Sequence, residues 1–139
     1  MEKTLVLIKP DAMQRHLATT ILNRLEKAGL MLVALRMLHM DKALAERHYA
    51  VHREKPFFGD LVDYITSAPI VAAVFEGENA VEKARTIMGT TDPARAEAGT
   101  IRKDFGISIE KNSVHGSESP QAAEYEIDLF FNGDEVFSY

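Results

Sequence analysis

A histidine and a glutamate in the last fifth of the chain have residue types that suit acid–base chemistry, metal binding or nucleophilic catalysis. His115 stands in the segment Asn112-Ser113-Val114-His115-Gly116-Ser117, and Glu126 follows on a helix predicted to open at Ser119. At about 100° per residue, Glu126 falls within the apolar arc of that helix. A carboxylate buried there needs a partner, because burying a lone charge is costly.

His115 is the nearest plausible partner for the Glu126 carboxylate. A carboxylate that holds one ring nitrogen of a histidine leaves the other nitrogen as a base, a metal ligand or a nucleophile, and Ser117 could complete the network. Two structural alternatives stay open: an ion-paired or surface-reaching Glu126, and a His115 that caps a turn. The position of Glu126 on an apolar face favours the functional interpretation.

Side chains in separate segments could hold phosphate. The sequence contains neither G-x-x-x-x-G-K-[ST] nor G-x-G-x-x-G, so a nucleotide site would depend on side chains rather than on a glycine-rich loop. Lys9 ends the first predicted strand, and Arg85 lies at the edge of a helix's apolar face. Thr91 and Arg102 occur in a long segment of weak periodicity. Each cation alone is typical of a solvated surface, and only convergence on His115 would indicate a site.

Residues 48–58 permit two further interpretations. His48 and His52 have the i, i+4 spacing of zinc ligands on a helix, but the sequence offers no clear third ligand and no Cys. We therefore expect a pair on a helix face without metal. Phe57, next to Pro56, could present an exposed ring to a nucleotide base, although a pair such as Phe57 and Phe58 is more often part of a core.

Length and composition limit the class of protein. The chain has 139 residues, of which 46% are hydrophobic and 27% charged, which predicts a single globular domain over residues 1–139. It has no Cys, no apolar run near the length that spans a bilayer and no signal-peptide pattern, which predicts a cytoplasmic protein without a membrane partner. The net charge of -5 argues against a nucleic-acid binder.

The charge is unevenly distributed along the chain. Residues 1–111 hold all 16 Lys and Arg residues against 15 acidic residues, whereas residues 112–139 hold six acidic residues and no Lys or Arg. The candidate phosphate-binding cations therefore lie in a part of the chain with a net charge of +1. A negative total charge does not exclude a small cationic pocket.

The predicted elements alternate strands with helices. Apolar runs predict strands over 3–9, 30–40 and 70–75, and a short strand over 113–115. Periodic apolar residues predict helices over 18–28, 43–52, 57–66, 80–88 and 120–131, with Asp41, Asn79 and Ser119 as N-caps. The segment 89–112 is expected to be a functional loop. This order favours an α+β fold, a ferredoxin-like β-α-β-β-α-β sandwich with an antiparallel four-stranded sheet covered by helices.

Together these motifs resemble the nucleoside diphosphate kinase family over nearly the whole chain. The segment 112–117 is similar to the N-x-x-H-G-S active-site signature of that family. Further segments match in order and spacing: Lys9-Pro10-Asp11, His48-Tyr49, Lys55-Pro56-Phe57-Phe58, Gly99-Thr100-Ile101-Arg102 and Asp104-Phe105-Gly106. Each segment alone is weak, but their shared order makes the resemblance specific.

The resemblance implies reversible transfer of the terminal phosphoryl group from a nucleoside triphosphate, typically ATP, to a nucleoside diphosphate through a phosphohistidine on His115. It implies that Glu126 orients the imidazole of His115, with support from Ser117. Mg²⁺ would arrive on the nucleotide phosphates. The resemblance also implies a homo-oligomer, a tetramer or hexamer built from dimers.

The same resemblance implies a set of nucleotide-binding residues. Five would hold phosphates, namely Lys9, Tyr49, Arg85, Thr91 and Arg102. Asn112 would contact the ribose together with Lys9. Phe57 would stack on the base, in a slot lined by Leu61 and Ile109.

Four positions depart from the usual pattern of the family. His16 and Thr19 stand where Gly is usual, Ala68 replaces a common Gly, and Glu118 stands where Asp is usual. None of them removes a proposed catalytic group, so they bear on local backbone geometry, rate or assembly. Two other functions stay as alternatives: a non-catalytic nucleotide-binding module on the same fold, and a metal-binding protein based on the histidine pair above.

Overall fold

One four-stranded sheet forms the centre of the structure. The computed structural model describes residues 1–139. The strands are β1 (Glu2–Ile8), β2 (Met31–Leu38), β3 (Ile70–Gly77) and β4 (Val114–Gly116). They lie in the order β2-β3-β1-β4, and every neighbouring pair is antiparallel. The predicted α+β fold with an antiparallel four-stranded sheet is confirmed.

The rest of the chain contains seven α-helices. They are α1 (Pro10–Gln14), α2 (Ala18–Lys27), α3 (Lys42–His48), α4 (Phe58–Ile65), α5 (Ala80–Met88), α6 (Ile101–Phe105) and α7 (Pro120–Phe130). Two short 3-10 turns cover Ala50–His52 and Gly133–Glu135. None of these helices combines the length and the apolar character that crossing a membrane requires.

Residues 5–8 of β1 are buried on both faces of the sheet, which explains their unbroken apolar sequence. Leu5 and Leu7 belong to a core cluster on one face of the sheet, together with Phe130 and other residues of α3, α4 and α7. Val6 and Ile8 belong to the cluster on the opposite face, which includes residues of α2, α5 and α6. Because side chains alternate along a strand, only a sheet covered on both sides buries every residue of such a run.

The pairing of β1 with β4 positions the histidine segment. His115 lies opposite Leu7 in the antiparallel register. The backbone N–H of Lys9, the first residue after β1, donates to the carbonyl oxygen of Ser113 at 2.9 Å. The segment that carries His115 is therefore fixed beside the loop that begins with Lys9.

Two of the three predicted helix caps are confirmed, and one is wrong. Asp41 and Ser119 each accept a backbone N–H through their side chains at the start of α3 and α7. Asn79 has φ 52° and makes no side-chain cap. Instead, Oε1 of Glu2 accepts the N–H of Val81 at 2.9 Å. A carboxylate on β1 replaces the local cap, and nothing in the local sequence of α5 indicates such a partner.

Three short elements differ from the prediction. The helix expected over 43–52 ends at His48, and a 3-10 turn follows. The sequence does not predict α1 or α6, because five residues are too few to show a helical period. The segment 89–112 is thus interrupted by α6, where the Thr100 hydroxyl accepts the N–H of Lys103 at 3.3 Å.

His16 occupies a backbone conformation that favours glycine. Its φ is 60°, in the left-handed region, which is disfavoured for residues with a side chain. We expect His16→Gly to raise the free energy of unfolding by about 0.5–1 kcal/mol, after the greater freedom of Gly in the unfolded chain is subtracted. Urea unfolding measures the change.

Thr19→Gly is the matched control, because Thr19 is the other nearby position at which the family that the sequence resembles usually has Gly. Thr19 lies within α2, so Gly should lower the free energy of unfolding there by about 0.3 kcal/mol. A destabilised His16→Gly variant would show that the left-handed backbone at His16 is not a source of strain.

Candidate active site

His115, Glu126 and Ser117 meet in one hydrogen-bonded group. Nε2 of His115 lies 3.1 Å from Oε1 of Glu126, and the Ser117 hydroxyl donates to the same oxygen at 2.6 Å. The backbone N–H of Leu5 donates to the Ser117 oxygen at 3.1 Å. The strand-to-helix connection after β4 thus brings a partly exposed imidazole against a buried carboxylate, which is fixed in turn from β1.

The surroundings of Glu126 keep its carboxylate charged. Burial alone would raise the pKa of Glu126, but the hydrogen bond and charge of His115, with the Ser117 hydroxyl, outweigh burial and lower that pKa. A charged Glu126 fixes the Nε2 proton of His115. In that tautomer, Nδ1 of His115 carries the free lone pair, so the group can present a neutral nucleophile.

A cluster of aromatic rings surrounds the back of His115. The ring of His48 stands edge-on to that of His115 with centroids 4.6 Å apart, and it contacts Tyr49 at 4.7 Å and Phe130 at 5.6 Å. Burial, with the neighbouring His115, lowers the pKa of His48 to about 3. His48 is therefore neutral at physiological pH.

The expected pairing of His48 with His52 on a helix face is wrong. α3 ends at His48, and His52 lies in the following 3-10 turn, so the two residues do not share a helical face. His48 instead comes together with His115 and Glu126. Local spacing could not indicate this, because these partners lie more than 60 residues further along the chain.

Lys9 and Asn112 connect two of the predicted phosphate-binding segments. Nζ of Lys9 donates to Oδ1 of Asn112 at 2.9 Å, and the Asn112 amide donates to the carbonyl oxygen of Thr91 at 3.0 Å. Burial, together with the charge of Arg102, lowers the pKa of Lys9 to about 8, and Asp11 opposes that shift. The ammonium group is thus held, largely desolvated, against the start of the histidine segment.

Arg102 and Arg85 add positive charge on the other side of β4. Arg102 donates to the carbonyl oxygens of Gly89 and Val114, both at 2.8 Å. Burial and the nearby charge of Arg85 lower the pKa of Arg102 to about 10. Arg85 and Thr91 line an open cavity of about 700 Å³ together with Glu118. Arg102 therefore ties α6 to the β4 segment and places its charge next to that of Arg85.

Phe57 is the exposed aromatic of the predicted base slot. Its side chain is 45% exposed, and that of Ile109 is 55% exposed. The Phe57 ring lies 5.8 Å from the ring of His52, and Nζ of Lys55 stands 5.6 Å from its centroid. Leu61, by contrast, packs against the hydrophobic core. The lining of a base slot by Leu61 and Ile109 stays a prediction.

Asp11 supports the site without being a predicted member of it. Its buried carboxylate accepts hydrogen bonds from the Tyr64 hydroxyl at 2.6 Å and from the Ser113 hydroxyl at 3.0 Å. Ser113 has φ 75°, a strained conformation for a residue with a side chain. Asp11 thus holds the strained residue between Asn112 and β4, and the matching segment Lys9-Pro10-Asp11 is the only sequence signal for it.

Replacing Lys9 by Met should lower the activity of the protein and raise its stability. Burying a charged lysine whose pKa is lowered to about 8 destabilises the folded protein at pH 7, so removing it should stabilise the fold. Loss of the hydrogen bond to Asn112 offsets part of that stabilisation. We expect Lys9→Met to raise the free energy of unfolding at pH 7 by about 1–2 kcal/mol. If Lys9 binds phosphate, as the resemblance implies, we expect turnover to fall about 100-fold when its charge is lost. Urea unfolding and steady-state kinetics measure the two effects.

The difference in free energy of unfolding between Lys9→Met and the unmodified protein should become smaller at higher pH. The unfolded chain holds the Lys9 proton up to about pH 10.5 and the folded chain only to about 8, so the unmodified protein gains stability relative to Lys9→Met as pH rises through that window. Lys3→Met removes an exposed lysine paired with Glu76 and should change stability by less than about 0.5 kcal/mol. A Lys9→Met protein less stable than the unmodified chain at pH 7 would contradict this account of Lys9.

Comparison with known proteins places this site in a family. A family model described as nucleoside diphosphate kinase matches residues 2–136. A nucleoside diphosphate kinase of Dehalococcoides mccartyi is 62% identical over 139 residues, covering 100% of this chain and 98% of the relative. A nucleoside diphosphate kinase of Archaeoglobus fulgidus is 55% identical and covers 100% of this chain and 92% of the relative.

Solved structures agree with the sequence comparison. The Aquifex aeolicus nucleoside diphosphate kinase superimposes with a TM-score of 0.96 at 42% identity, covering 98% of this chain and 99% of that one. A halophilic nucleoside diphosphate kinase from Halobacterium salinarum, solved in complex with CDP, gives a TM-score of 0.96 at 46% identity and covers 99% of this chain and 92% of that one. The family match, the full-length identity and the shared fold agree: this chain belongs to the nucleoside diphosphate kinase family.

Proposed function

We propose that His115 is the residue that carries the phosphoryl group between the two half-reactions of a nucleoside diphosphate kinase. Nδ1 of His115 attacks the terminal phosphorus of a nucleoside triphosphate. The new N–P bond forms as the bond to the bridging oxygen breaks, and the nucleoside diphosphate leaves with that electron pair. A second nucleoside diphosphate then takes the phosphoryl group through its terminal oxygen, which restores the free imidazole.

The observation that carries this proposal is the group formed by His115, Glu126 and Ser117. The 3.1 Å contact between Nε2 of His115 and Glu126 supports Nδ1 as the nucleophile, and the buried carboxylate offsets the positive charge that an attacking imidazole develops. A neutral imidazole needs no general base, because its nitrogen already has a lone pair. The rest of catalysis is positioning and charge neutralisation.

The remaining site residues have proposed roles in binding the nucleotide. Phosphate oxygens would be held by the cations and hydroxyls around His115, namely Lys9, Tyr49, Arg85, Thr91 and Arg102. The hydrogen bond between Lys9 and Asn112 supports a shared role of this pair at the ribose. The exposed ring of Phe57 supports stacking on the base, with Leu61 and Ile109 beside it, and stacking is tolerant of base identity.

We propose that Mg²⁺ would arrive with the nucleotide, held by its phosphates rather than by side chains of this chain. The donor set around the phosphate subsite fits this mode, because Lys9, Arg85 and Arg102 would repel a bare divalent cation, whereas Mg²⁺ is commonly held by substrate phosphates with few protein groups. When bound, Mg²⁺ neutralises phosphate charge. The cations of the chain would orient the same oxygens.

Assembly and location follow as further parts of the proposal. Residues 1–139 would act as one domain, supported by the single central sheet. A homo-oligomer, that is, a tetramer or hexamer built from dimers, is supported by the edge strand β2, where Met37 is 66% exposed, since an apolar strand edge is normally covered. A cytoplasmic location is proposed because the substrates, nucleoside tri- and diphosphates, are cytoplasmic metabolites.

A half-reaction without acceptor tests the proposed activity. Mixing the protein with excess Mg·ATP should release one ADP per chain and then stop, and added CDP should discharge the phosphoenzyme as CTP. The alternative, a non-catalytic nucleotide-binding module, predicts bound ATP with no ADP release. Continuous ADP production without acceptor would indicate hydrolysis and contradict the proposal.

A further inference from the structure

His48 is a buried polar group that the phosphoryl-transfer chemistry does not use. Its side chain is 5% exposed, and neither ring nitrogen has a hydrogen-bond partner in the protein. Buried polar groups without partners are rare in folded proteins, and each one invites a specific explanation. An imidazole held in this way is a ready metal ligand, because its lone pair is not engaged elsewhere.

The partners for such a metal lie next to His48. One ligand atom from each of His48, His115 and Glu126 lies within 4.8 Å of the others, and the pair formed by His115 and Glu126 is already at 3.1 Å. A tetrahedral zinc ion with bonds of about 2.1 Å spaces its ligand atoms roughly 3.4 Å apart. Ligand atoms that lie at most 4.8 Å apart reach that spacing when they move closer by about 1.4 Å or less.

We propose that His48, His115 and Glu126 form a binding site for Zn²⁺ that excludes phosphorylation of His115. Two nitrogens and one carboxylate oxygen are a typical three-residue set for zinc, which leaves a fourth position for water. The His115 side chain is 19% exposed, so water can reach that position. The donor set disfavours Mg²⁺, which prefers oxygen ligands in an octahedron, so this site is separate from the metal carried by the nucleotide.

Zinc binding would prevent phosphorylation of His115 because of where it places the single proton of the imidazole. A neutral imidazole has one N–H and one lone pair. In the unmetallated protein, Nε2 of His115 faces Glu126 and holds the proton. Zinc at Nε2 takes the lone pair there and moves the proton to Nδ1, which removes the nucleophilic lone pair. Zinc binding itself rests only on the three side chains, whereas the exclusion rests on the proposed role of His115 as phosphoryl carrier.

Metal binding to the nucleotide-free full-length protein tests the site directly. Titration with Co²⁺ should give the visible absorption of a tetrahedral complex at one ion per chain, and Zn²⁺ should displace it. His48→Gln and His48→Phe should each weaken binding at least about tenfold, the lower bound for loss of an outer partner of a metal ligand. His48→Phe keeps a ring in the aromatic cluster, and thermal unfolding verifies that both variants fold.

His16→Asn is the matched control, because it removes an exposed histidine at a left-handed position that Asn also adopts; it should bind Zn²⁺ like the unmodified chain. Metal affinity unchanged by both His48 variants would overturn the site. Protein saturated with Zn²⁺ should form phosphoenzyme at least about tenfold more slowly than metal-free protein, because Nδ1 of His115 then holds the proton. Equal rates of phosphoenzyme formation with and without Zn²⁺ would overturn the exclusion while leaving the metal site standing. A protein that forms no phosphoenzyme yet binds Zn²⁺ through His48 would instead contradict the proposed function alone.

Discussion

His115→Gln should leave a folded protein with no measurable phosphoryl exchange, a loss of at least about 10⁴-fold in kcat. Glutamine approximates the length of histidine and can still bond to Glu126, but its amide nitrogen has no available lone pair to attack phosphorus. The cations proposed to hold the phosphates are untouched, so nucleotide binding should persist. A coupled assay of ATP formation measures the exchange, and calorimetric titration measures the binding.

His39→Gln is a suitable control for this experiment. His39 is exposed just after β2 and bonds to the carbonyl oxygen of Thr66, so exchange should stay close to that of the unmodified chain. Exchange in His115→Gln within tenfold of the unmodified rate would contradict the assignment of His115.

A large effect is also expected for Glu126→Gln. The amide keeps the shape of the carboxylate but lacks its charge. That negative charge stabilises the imidazolium character that His115 gains as the N–P bond forms. A loss of about 3 kcal/mol of this electrostatic stabilisation corresponds to a fall of about 10²-fold in the rate of phosphorylation. Rapid-quench measurement of phosphoenzyme formation gives this rate directly.

Glu124→Gln supplies the matched control on the same helix. Glu124 is exposed on α7, and its replacement removes the same charge without changing the contacts of His115. Its phosphorylation rate should stay within about twofold of normal, since an exposed charge is largely screened. Equal rate losses in the two variants would show that overall charge, rather than the contact with His115, is responsible.

The sheet was predictable because its longer strands contain continuous runs of apolar residues. The apolar run of β1 requires cover on both faces, and the alternation of strands with periodic helices leaves few topologies for one sheet. The short elements were less predictable, since α1 and α6 are each one turn and a half in length and carry no period. The cap of α5 was also hidden, because Glu2 reaches it from β1.

The site was predictable at Glu126, where a charged residue stands on the apolar face of a helix. Glu126 lies on an apolar helical face, and burial without a partner is costly, so the contact with His115 follows from chemistry. Contacts formed only by topology were not predictable. The edge-on contact of His48 with His115 and the contact of Lys9 with Asn112 join residues 67 and 103 positions apart. No local sequence pattern encodes such separations.

The central claim is that the phosphoryl group resides on Nδ1 of His115. Phosphoenzyme prepared with Mg·ATP in the absence of acceptor can be denatured at alkaline pH, digested and mapped by mass spectrometry, and ³¹P NMR distinguishes the two ring nitrogens. The account predicts one phosphoryl group per chain, on His115, bonded through Nδ1. Phosphate on Nε2, on the neighbouring His48 or on any other residue would contradict it.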